Sequence, residues 1–286
     1  MNIHQIYESL TPPVLRIWHR ERVQYNAYLQ DICAIEKKGD FQREISYIKR
    51  THHFEVFPYE WAEKYRKHFA KVYRDEKNNC RYVRYFDKRI YFPLSMSKSA
   101  IQLYFNSILT EQDEHSAHFY FPYQSDLVKG KAFIDIGSAE GIAGIHAVDQ
   151  AEKVILFEPD STWISCLEET FRKWPDKVEI NNKFVSDSND MHTVTMDSVC
   201  KDISIPIVIK ADVEGMEEKV LEGAREVLSR PDTELFICLY HHSGDEEKII
   251  PVLKNNGFQY KINDGYILFP SEEGVEFRHG VVHAWK

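Results

Sequence analysis

The sequence predicts an α/β protein built on a parallel β-sheet and preceded by a mostly helical N-terminal region. From about residue 130, strand-like and helix-like segments alternate along the chain. The strand-like segments are apolar throughout, which is typical of parallel strands that helices cover on both faces. Before residue 130 the aromatic residues instead recur mainly at helical spacing. These observations favour a helical region followed by an α/β domain.

The alternating part contains five predicted parallel strands and the helices between them. The predicted strands are 131–136, 153–158, 178–185, 205–212 and 234–240. The predicted helices are 141–150, 160–174, 216–229 and 245–256, and Asp160 or Ser161 is the expected N-cap of the second. The segment "FQYKINDGYILF" (258–269) predicts a hairpin turned at 263–265, which adds an antiparallel edge strand.

The N-terminal region has a different pattern. Apolar and aromatic residues predict helices over 14–36 and 58–73, a short hairpin over 81–93, and a helical stretch over 97–124. We therefore divide the chain into a helical N-terminal region, 1–95, and an α/β domain, 96–286. The aromatic residues of the first region are expected to form a core or a subunit interface, which makes a homodimer through these helices possible.

The composition is that of a soluble protein. The chain has 286 residues, of which 43% are hydrophobic and 28% charged. No stretch approaches the ~18 apolar residues of a membrane span, and the first residues lack the pattern of a signal peptide. The five cysteines are scattered, which indicates reduced thiols and neither a disulfide framework nor a zinc site. We expect a cytoplasmic protein.

Charge is unevenly divided along the chain. Residues 1–90 hold 18 Lys and Arg against 12 Asp and Glu, a net charge of +6, and the remainder holds 18 against 33, a net charge of −15. Binding to nucleic acid phosphates requires basic surface. The acidic balance therefore argues against nucleic acid as the main ligand of the C-terminal domain.

The first βα turn is a candidate ligand loop. In "FIDIGSAEGIAGIHAV" (133–148), Gly137 and Gly141 allow close backbone approach after a buried strand. The glycine spacing differs from that of dinucleotide enzymes, and no triphosphate-binding P-loop occurs. Asp135 would repel a pyrophosphate but attract an ammonium group. The amino-acid end of S-adenosylmethionine carries such a group, so this cofactor fits the loop.

Further acids follow the next strands of the predicted sheet. Glu158 ends the second strand, 21 residues after Gly137, where a carboxylate can accept both hydroxyls of a ribose. Asp212 and Glu214 end the fourth strand, and Gly215 lets the chain turn into the following helix. Because the carboxyl ends of parallel strands meet at one edge, these carboxylates are expected to face one cleft.

Five motifs together resemble the FkbM family of S-adenosylmethionine-dependent methyltransferases. They are "FIDIGSAEGIAG", "LFEPD", "TVTMDSV", "IKADVEGMEEKVLEGA" and "LYHHSGDEEKIIPVLKNNGFQY", and the lead-in "LTEQDEHSAHFYFPYQSD" is also similar. The resemblance covers roughly residues 85–270. It implies a class I methyltransferase fold, a Rossmann-like sheet of seven strands with an antiparallel last strand, and O-methylation of hydroxyls on sugars or polyketides.

The resemblance also implies roles for individual residues. Asp135, Gly137 and Ser138, with Gly141 in the same loop, would line the methionine moiety of the cofactor. Glu158 would bind the ribose, and Asp187, in "FVSDS", would lie near the adenine. The loop departs from the family pattern in carrying a further negative charge, Glu140, before its second glycine.

Methylation of a hydroxyl needs a base that removes its proton. The candidates are Asp212, Glu214 and His241, the last of which matches the His of the family's "YH" pair. Asp212 could instead bind a divalent cation, but Asp212 and Glu214 cannot supply the several oxygen ligands that such an ion requires. We therefore assign no metal.

Three other functions are weighed against the O-methyltransferase. A nicotinamide-dependent enzyme would need the dinucleotide glycine spacing, which the sequence lacks. A methyltransferase fold that serves only in assembly would not need the acids at positions 135, 158, 212 and 214. An N-methyltransferase of small molecules differs only in the acceptor atom, which the sequence does not reveal. A small-molecule or glycan acceptor is expected in either methyltransferase.

Overall fold

The structure, a computed structural model, describes residues 13–66, 69–78, 80–271 and 274–286. Its first part is helical, as predicted. The helical elements are α1 (Pro13–Lys38), α2 (Gln42–Thr51), a 3₁₀ turn (Glu60–Ala62) and α3 (Glu63–Arg66). The helix predicted over 58–73 is wrong in extent. The described residues of this range form short helical turns, and the chain is extended from Val72, where strand β1 begins.

A small antiparallel sheet and one long helix follow. The strands are β1 (Val72–Asp75), β2 (Cys80–Tyr85) and β3 (Lys88–Phe92), and the last two form the predicted hairpin. Helix α4 (Lys98–Glu111) begins at Ser97, whose side chain accepts a hydrogen bond from the Ala100 N–H. The helix predicted over 97–124 therefore ends early. Beyond Glu111 the chain forms turns, because Asp113 and Ser116 bond the backbone locally.

The second part is built on a seven-stranded mixed sheet. Its order is β11-β14-β10-β9-β4-β5-β6. The strands are β4 (Ala132–Ile136), β5 (Lys153–Phe157), β6 (Val178–Asn181), β9 (Ile207–Ala211), β10 (Thr233–Cys238), β11 (Gln259–Ile262) and β14 (Val281–Trp285). Strands β10, β9, β4, β5 and β6 are parallel, whereas β14 runs antiparallel to both of its neighbours. The predicted α/β class is confirmed.

Helices connect the parallel strands. They are α5 (Ile142–Ala147), α6 (Ser161–Phe171), α7 (Met196–Cys200), α8 (Glu217–Glu222), α9 (Arg225–Ser229) and α10 (Asp245–Asn255). Asp160 caps α6, as predicted, by accepting the Thr162 N–H. The helix predicted over 216–229 is divided in two, because the Asp197 carboxylate accepts the N–H groups of Glu226 and Val227 and starts a new helix there.

The hairpin predicted over 258–269 is wrong. Strand β11 pairs with β14, whereas β12 (Ile267–Ser271) pairs with β13 (Gly274–Arg278) in a separate hairpin. The turn between β11 and β12 does not bring these two strands together. There the Asn263 amide donates to the carbonyls of Ala117 and Phe119, which ties the chain to the segment before the sheet. The strand predicted over 178–185 is divided in two. Its first part, β6, joins the main sheet, and its last part, β7 (Phe184–Val185), pairs with β8 (Thr193–Val194) in a separate two-stranded sheet.

Two cores hold the regions together. Val83, Ile90 and Phe92 of the small sheet are buried in one cluster with Phe133 and Phe236 of the large sheet. Helices α1 and α2 bury their apolar face against hairpin β12–β13. The boundary at residue 95 and the homodimer through these helices stay predictions. In the described segments, every helix is too short or too polar to cross a membrane.

Candidate functional site

A cavity of about 890 Å³ lies at the carboxyl ends of the parallel strands. The ends of strands β4, β5 and β9 and one side of helix α4 line it, together with the exposed side chains of Phe184 and Met216. Its lining is strongly acidic, with two lysines, Lys183 and Lys210, against seven carboxyl groups. The seven are Glu111, Asp135, Glu140, Glu158, Asp160, Asp212 and Glu214. This charge balance favours a cationic ligand.

Asp135 is fully buried at the end of β4 and lines the cavity, as predicted. Burial raises its pKa, and the Lys210 ammonium, 3.0 Å from its Oδ1, opposes this effect. Neither carboxylate oxygen receives a hydrogen bond of good geometry from the described residues. Lys210 also donates to the Gly137 carbonyl at 2.6 Å. Asp135 is thus an ion-pair partner that can still accept hydrogen bonds.

The loop after β4 bends sharply beside β9. Gly137 has a φ of +77°, and a Cβ on it would lie 1.9 Å from the Asp212 carbonyl oxygen. The N–H groups of Gly137 and Ser138 both donate to the Phe157 carbonyl, which ties the loop to β5. Gly137 and Ser138 line the cavity. Gly141 does not, because it packs against Phe171 in the helical layer.

Glu158 follows β5 and lines the cavity with only 7% of its surface exposed. Its Oε2 accepts the Ala139 N–H and its Oε1 the Asp160 N–H, both at 2.8 Å. Burial raises its pKa against these hydrogen bonds. Each carboxylate oxygen has two lone pairs, so Glu158 keeps the capacity to accept ligand hydroxyls.

Glu140 belongs to the cavity wall and is 4% exposed. Its Oε2 accepts the Tyr104 hydroxyl of helix α4 at 2.8 Å. Burial, aided by the charge of Glu111, raises the pKa of Glu140 to about 7. Glu111, at the end of α4, also has its pKa raised by burial. The extra acid of the loop is therefore part of the site and contacts helix α4.

Asp212, after β9, accepts hydrogen bonds from two tyrosines. Tyr120 donates to Oδ2 at 2.8 Å and Tyr240 donates to Oδ1 at 3.0 Å. Burial alone would raise the pKa of Asp212. Hydrogen bonds from His118 and His241, with the charge of Lys210, outweigh burial and hold the pKa well below its usual range. Asp212 is therefore a stable carboxylate within the cavity lining.

His241 lies beside Asp212 but outside the lining of the cavity. Its Nε2 is 3.2 Å from Asp212 Oδ1, and its Nδ1 is 3.0 Å from Glu217 Oε1. Burial lowers the pKa of His241, but these two carboxylates outweigh burial and raise the pKa from 6.5 to about 10. The imidazole is therefore a cation at neutral pH and has no free lone pair with which to act as a base.

The two remaining predicted residues are exposed. The Glu214 side chain is 96% exposed at the mouth of the cavity, 3.9 Å from His241 Nε2. Asp187 lies outside the lining, one residue beyond Ser186, which belongs to it. The Asp187 carboxylate is paired with Lys219 at 2.9 Å, and this ammonium, as the largest influence, lowers its pKa.

Sequence reasoning missed four residues of this site: Lys210, His118, Tyr120 and Tyr240. Lys210 had a detectable signal, since it is a charged residue inside the apolar strand "IVIKA". The other three carried no such signal. His118 and Tyr120 belong to an irregular segment, and Tyr120 is 92 positions from the carboxylate that it contacts.

Two groups of side chains among the described residues bring possible metal ligands within 4.8 Å of one another. They are His118, Asp212 and Cys238, and Asp212, Glu217 and His241. Burial raises the pKa of Cys238 far above its usual range, and His241 carries a proton. A metal ion would have to displace these protons to bind here. The absence of a metal from the site stays a prediction from the sequence.

Comparisons with known proteins agree with the resemblance drawn from the sequence. Residues 136–260 match the sequence model of the methyltransferase FkbM domain. Among curated proteins, none is similar enough in sequence to count as a match.

Several solved structures are similar to the chain. A methyltransferase FkbM from Methylobacillus flagellatus KT is 19% identical, with a TM-score of 0.45 over 65% of this chain and 54% of that one. A precorrin-6y C5,15-methyltransferase from Geobacter metallireducens GS-15 is 14% identical, with a TM-score of 0.37 over 55% of this chain and 81% of that one. The chain thus spans about half the length of the first protein. The similarity to the methyltransferase FkbM domain rests on the sequence match over residues 136–260.

Proposed function

We propose that the protein is an S-adenosylmethionine-dependent O-methyltransferase that acts on a hydroxyl of a sugar, a glycan precursor or a secondary metabolite. The observation that carries the proposal is the acidic cavity at the strand ends. S-adenosylmethionine bears an ammonium and a sulfonium, and seven carboxyl groups against two lysines suit such a ligand. When bound, it supplies a methyl group that its positively charged sulfur makes electrophilic.

The residues at this edge fit the cofactor. The buried Asp135 oxygens lack hydrogen bonds from the described residues, so they can accept the ammonium or its ordered waters. Lys210 occupies one side of this carboxylate, which leaves Oδ2 as the atom for the ligand. Glu158 would accept the ribose hydroxyls. The exposed apolar side chains of Phe184 and Met216 would contact the adenine, with Asp187 at the same end.

The chain's own groups position the acceptor. Asp212 stays ionised, and two tyrosine hydroxyls orient its carboxylate toward the cavity. His241, held between Asp212 and Glu217, is a positioning cation in this arrangement. Helix α4 presents Tyr104, Ser107 and Glu111 on one face of the cavity, where they can bind hydroxyls and exclude water.

The test measures binding and transfer separately. Isothermal titration with S-adenosylhomocysteine should show one site per chain, and saturating ligand should raise the melting temperature. Incubation with methyl-labelled S-adenosylmethionine and a panel of nucleotide sugars should give a methyl ether that mass spectrometry locates on oxygen. A label on nitrogen would indicate an N-methyltransferase. Absence of binding would overturn the proposal and favour a role in assembly.

A further inference from the structure

His118 lies in the cavity wall and is used by none of the functions assigned above. It belongs to the turns between α4 and β4, is 5% exposed, and lines the cavity together with Gln112 and Tyr240. Its backbone N–H donates to Ser116 Oγ at 3.1 Å, which fixes its place in the loop. The hydrogen-bond partners of the two ring nitrogens show which nitrogen carries a hydrogen and which has a lone pair.

The hydrogens around Asp212 determine the state of His118 Nε2. An ionised carboxylate only accepts, so Tyr120 and Tyr240 each use their single hydroxyl hydrogen on Asp212. The Tyr240 oxygen is also 3.0 Å from His118 Nε2. With its hydrogen already donated, this oxygen can only accept. His118 Nε2 therefore carries a hydrogen, which Tyr240 accepts, and Asp212 Oδ2 lies 3.5 Å from the same nitrogen.

The neutral ring then has its lone pair on Nδ1. Among the described residues, the partner of Nδ1 is the Gln112 amide, whose Nε2 is 3.5 Å away. A hydrogen bond of this length is weak. Since Gln112 also lines the cavity, a hydroxyl of a bound acceptor can replace it. The ring thus has a lone pair on Nδ1, while a hydroxyl and a carboxylate contact Nε2 on its far side and orient it. This is the arrangement of a general base.

We infer that His118, through Nδ1, accepts the proton of the acceptor hydroxyl, and this inference rests on the proposed function. The acceptor oxygen forms a bond to the methyl carbon, and the carbon–sulfur bond breaks with its electron pair left on sulfur. The hydroxyl proton moves to Nδ1 and gives an imidazolium, which Tyr240 and Asp212 stabilise from the Nε2 side. The proton then leaves to solvent.

The other candidates are less suited to this step. The Asp212 carboxylate already accepts two hydroxyls, and its lowered pKa makes it a weak base. His241 is protonated and lies outside the lining. Glu140 belongs to the loop after β4, in the part of the cavity proposed for the cofactor, where it accepts the Tyr104 hydroxyl and the Ile142 N–H.

The first test reads the tautomer directly and needs no acceptor. Long-range ¹H–¹⁵N spectra of the full chain report which imidazole nitrogen carries hydrogen. The His118 signals are assigned through their backbone correlations and by their loss in His118→Gln. Neutral His118 should show an unprotonated Nδ1 and a protonated Nε2. The opposite tautomer would overturn the inference, because Nδ1 would then have no lone pair.

The second test measures transfer from labelled S-adenosylmethionine to the nucleotide-sugar panel. His118→Ala should lower kcat by about 100-fold or more, leave S-adenosylhomocysteine affinity unchanged, and regain part of the rate with added imidazole. Tyr240→Phe should lose less activity and gain nothing from imidazole. The matched control is His115→Ala, an exposed histidine of the same segment outside the lining, which should keep its activity.

The outcomes separate the two proposals. Failure of the wild-type chain to bind S-adenosylhomocysteine would overturn the proposed function. Binding and transfer by the wild type with an undiminished rate in His118→Ala would overturn only the role of His118. A lower rate that imidazole does not restore would likewise assign His118 a structural role. The tautomer measurement applies even if the panel contains no acceptor.

Discussion

The two halves of the cavity are built in different ways. The half that we propose for the cofactor, here called the cofactor half, consists of Asp135, Gly137, Ser138 and Glu158, from two adjacent strand ends within residues 135–158. Its acids contact a lysine or backbone N–H groups. The half that we propose for the acceptor, here called the acceptor half, consists of His118, Tyr120, Asp212 and Tyr240. It joins segments 92 and 122 positions apart, and its acid contacts side-chain donors. Local chain geometry fixes the first half, and tertiary contact fixes the second.

The largest effect is expected in the acceptor half. Asp212→Asn removes the charge that orients two tyrosines and supports His118, so kcat should fall by about 100- to 10,000-fold. Binding of S-adenosylhomocysteine should change little, because the cofactor half retains its acids. Asp126→Asn, an exposed acid outside the lining, is the control. If both kcat and cofactor affinity collapsed together, the two halves would not be separable.

Substitutions of Gly137 and Gly215 test how rigidly the loop of the cofactor half is packed against the sheet. Gly137→Ala forces a left-handed φ and places a Cβ 1.9 Å from a backbone carbonyl. Gly215→Ala has similar strain, with a φ of +91°, but its Cβ meets the movable, exposed ring of His242. Chemical denaturation should show a loss of roughly 4 kcal/mol or more for the first and about 1–2 kcal/mol for the second. Equal losses would mean that the carbonyl moves freely.

Glu140 predicts a pH dependence of stability. Its pKa rises from 4.5 to about 7 on folding, so the folded chain binds more protons between these values and its stability falls as the pH rises. One pKa unit is worth about 1.4 kcal/mol, which gives a loss of about 3 kcal/mol by pH 7. Glu140→Gln should show a smaller decline than the wild type in urea unfolding at pH 5 and pH 8, because buried Glu111, Asp135 and Glu158 still contribute.

The control for this measurement is Glu214→Gln. Its carboxyl group is 96% exposed, so the variant should show the same difference between pH 5 and pH 8 as the wild type. A wild-type stability that did not fall between these pH values would show that Glu140 stays hydrated.

The smallest effect is expected at the exposed Asp187–Lys219 pair. Exposed ion pairs contribute little to stability, so Asp187→Ala and Lys219→Ala should each leave the urea midpoint of unfolding nearly unchanged. If Asp187 lies at the adenine end of the cofactor, only Asp187→Ala should weaken S-adenosylhomocysteine binding. Equal affinities in calorimetry would remove Asp187 from the site.

The same contrast explains what the sequence could predict. The α/β class and the position of the cofactor-half residues in the cavity lining followed from local patterns, since a strand end and its turn are adjacent in sequence. The hairpin over 258–269 failed because Asn263 bonds a segment some 145 positions earlier, which no local pattern records. The sequence made His241 a candidate base, but its protonation depends on Asp212 and Glu217, contacts that only the folded chain makes.

The contact between hairpin β12–β13 and helices α1 and α2 has a consequence for synthesis. Leu268 and Val275 complete the apolar cluster around Ile32 and Ile45, so helices α1 and α2 are covered only by a segment that lies far later in the chain. Such distant contacts slow folding, since the intervening chain must be ordered first. A chain truncated before residue 267 would leave these helices exposed and subject to degradation.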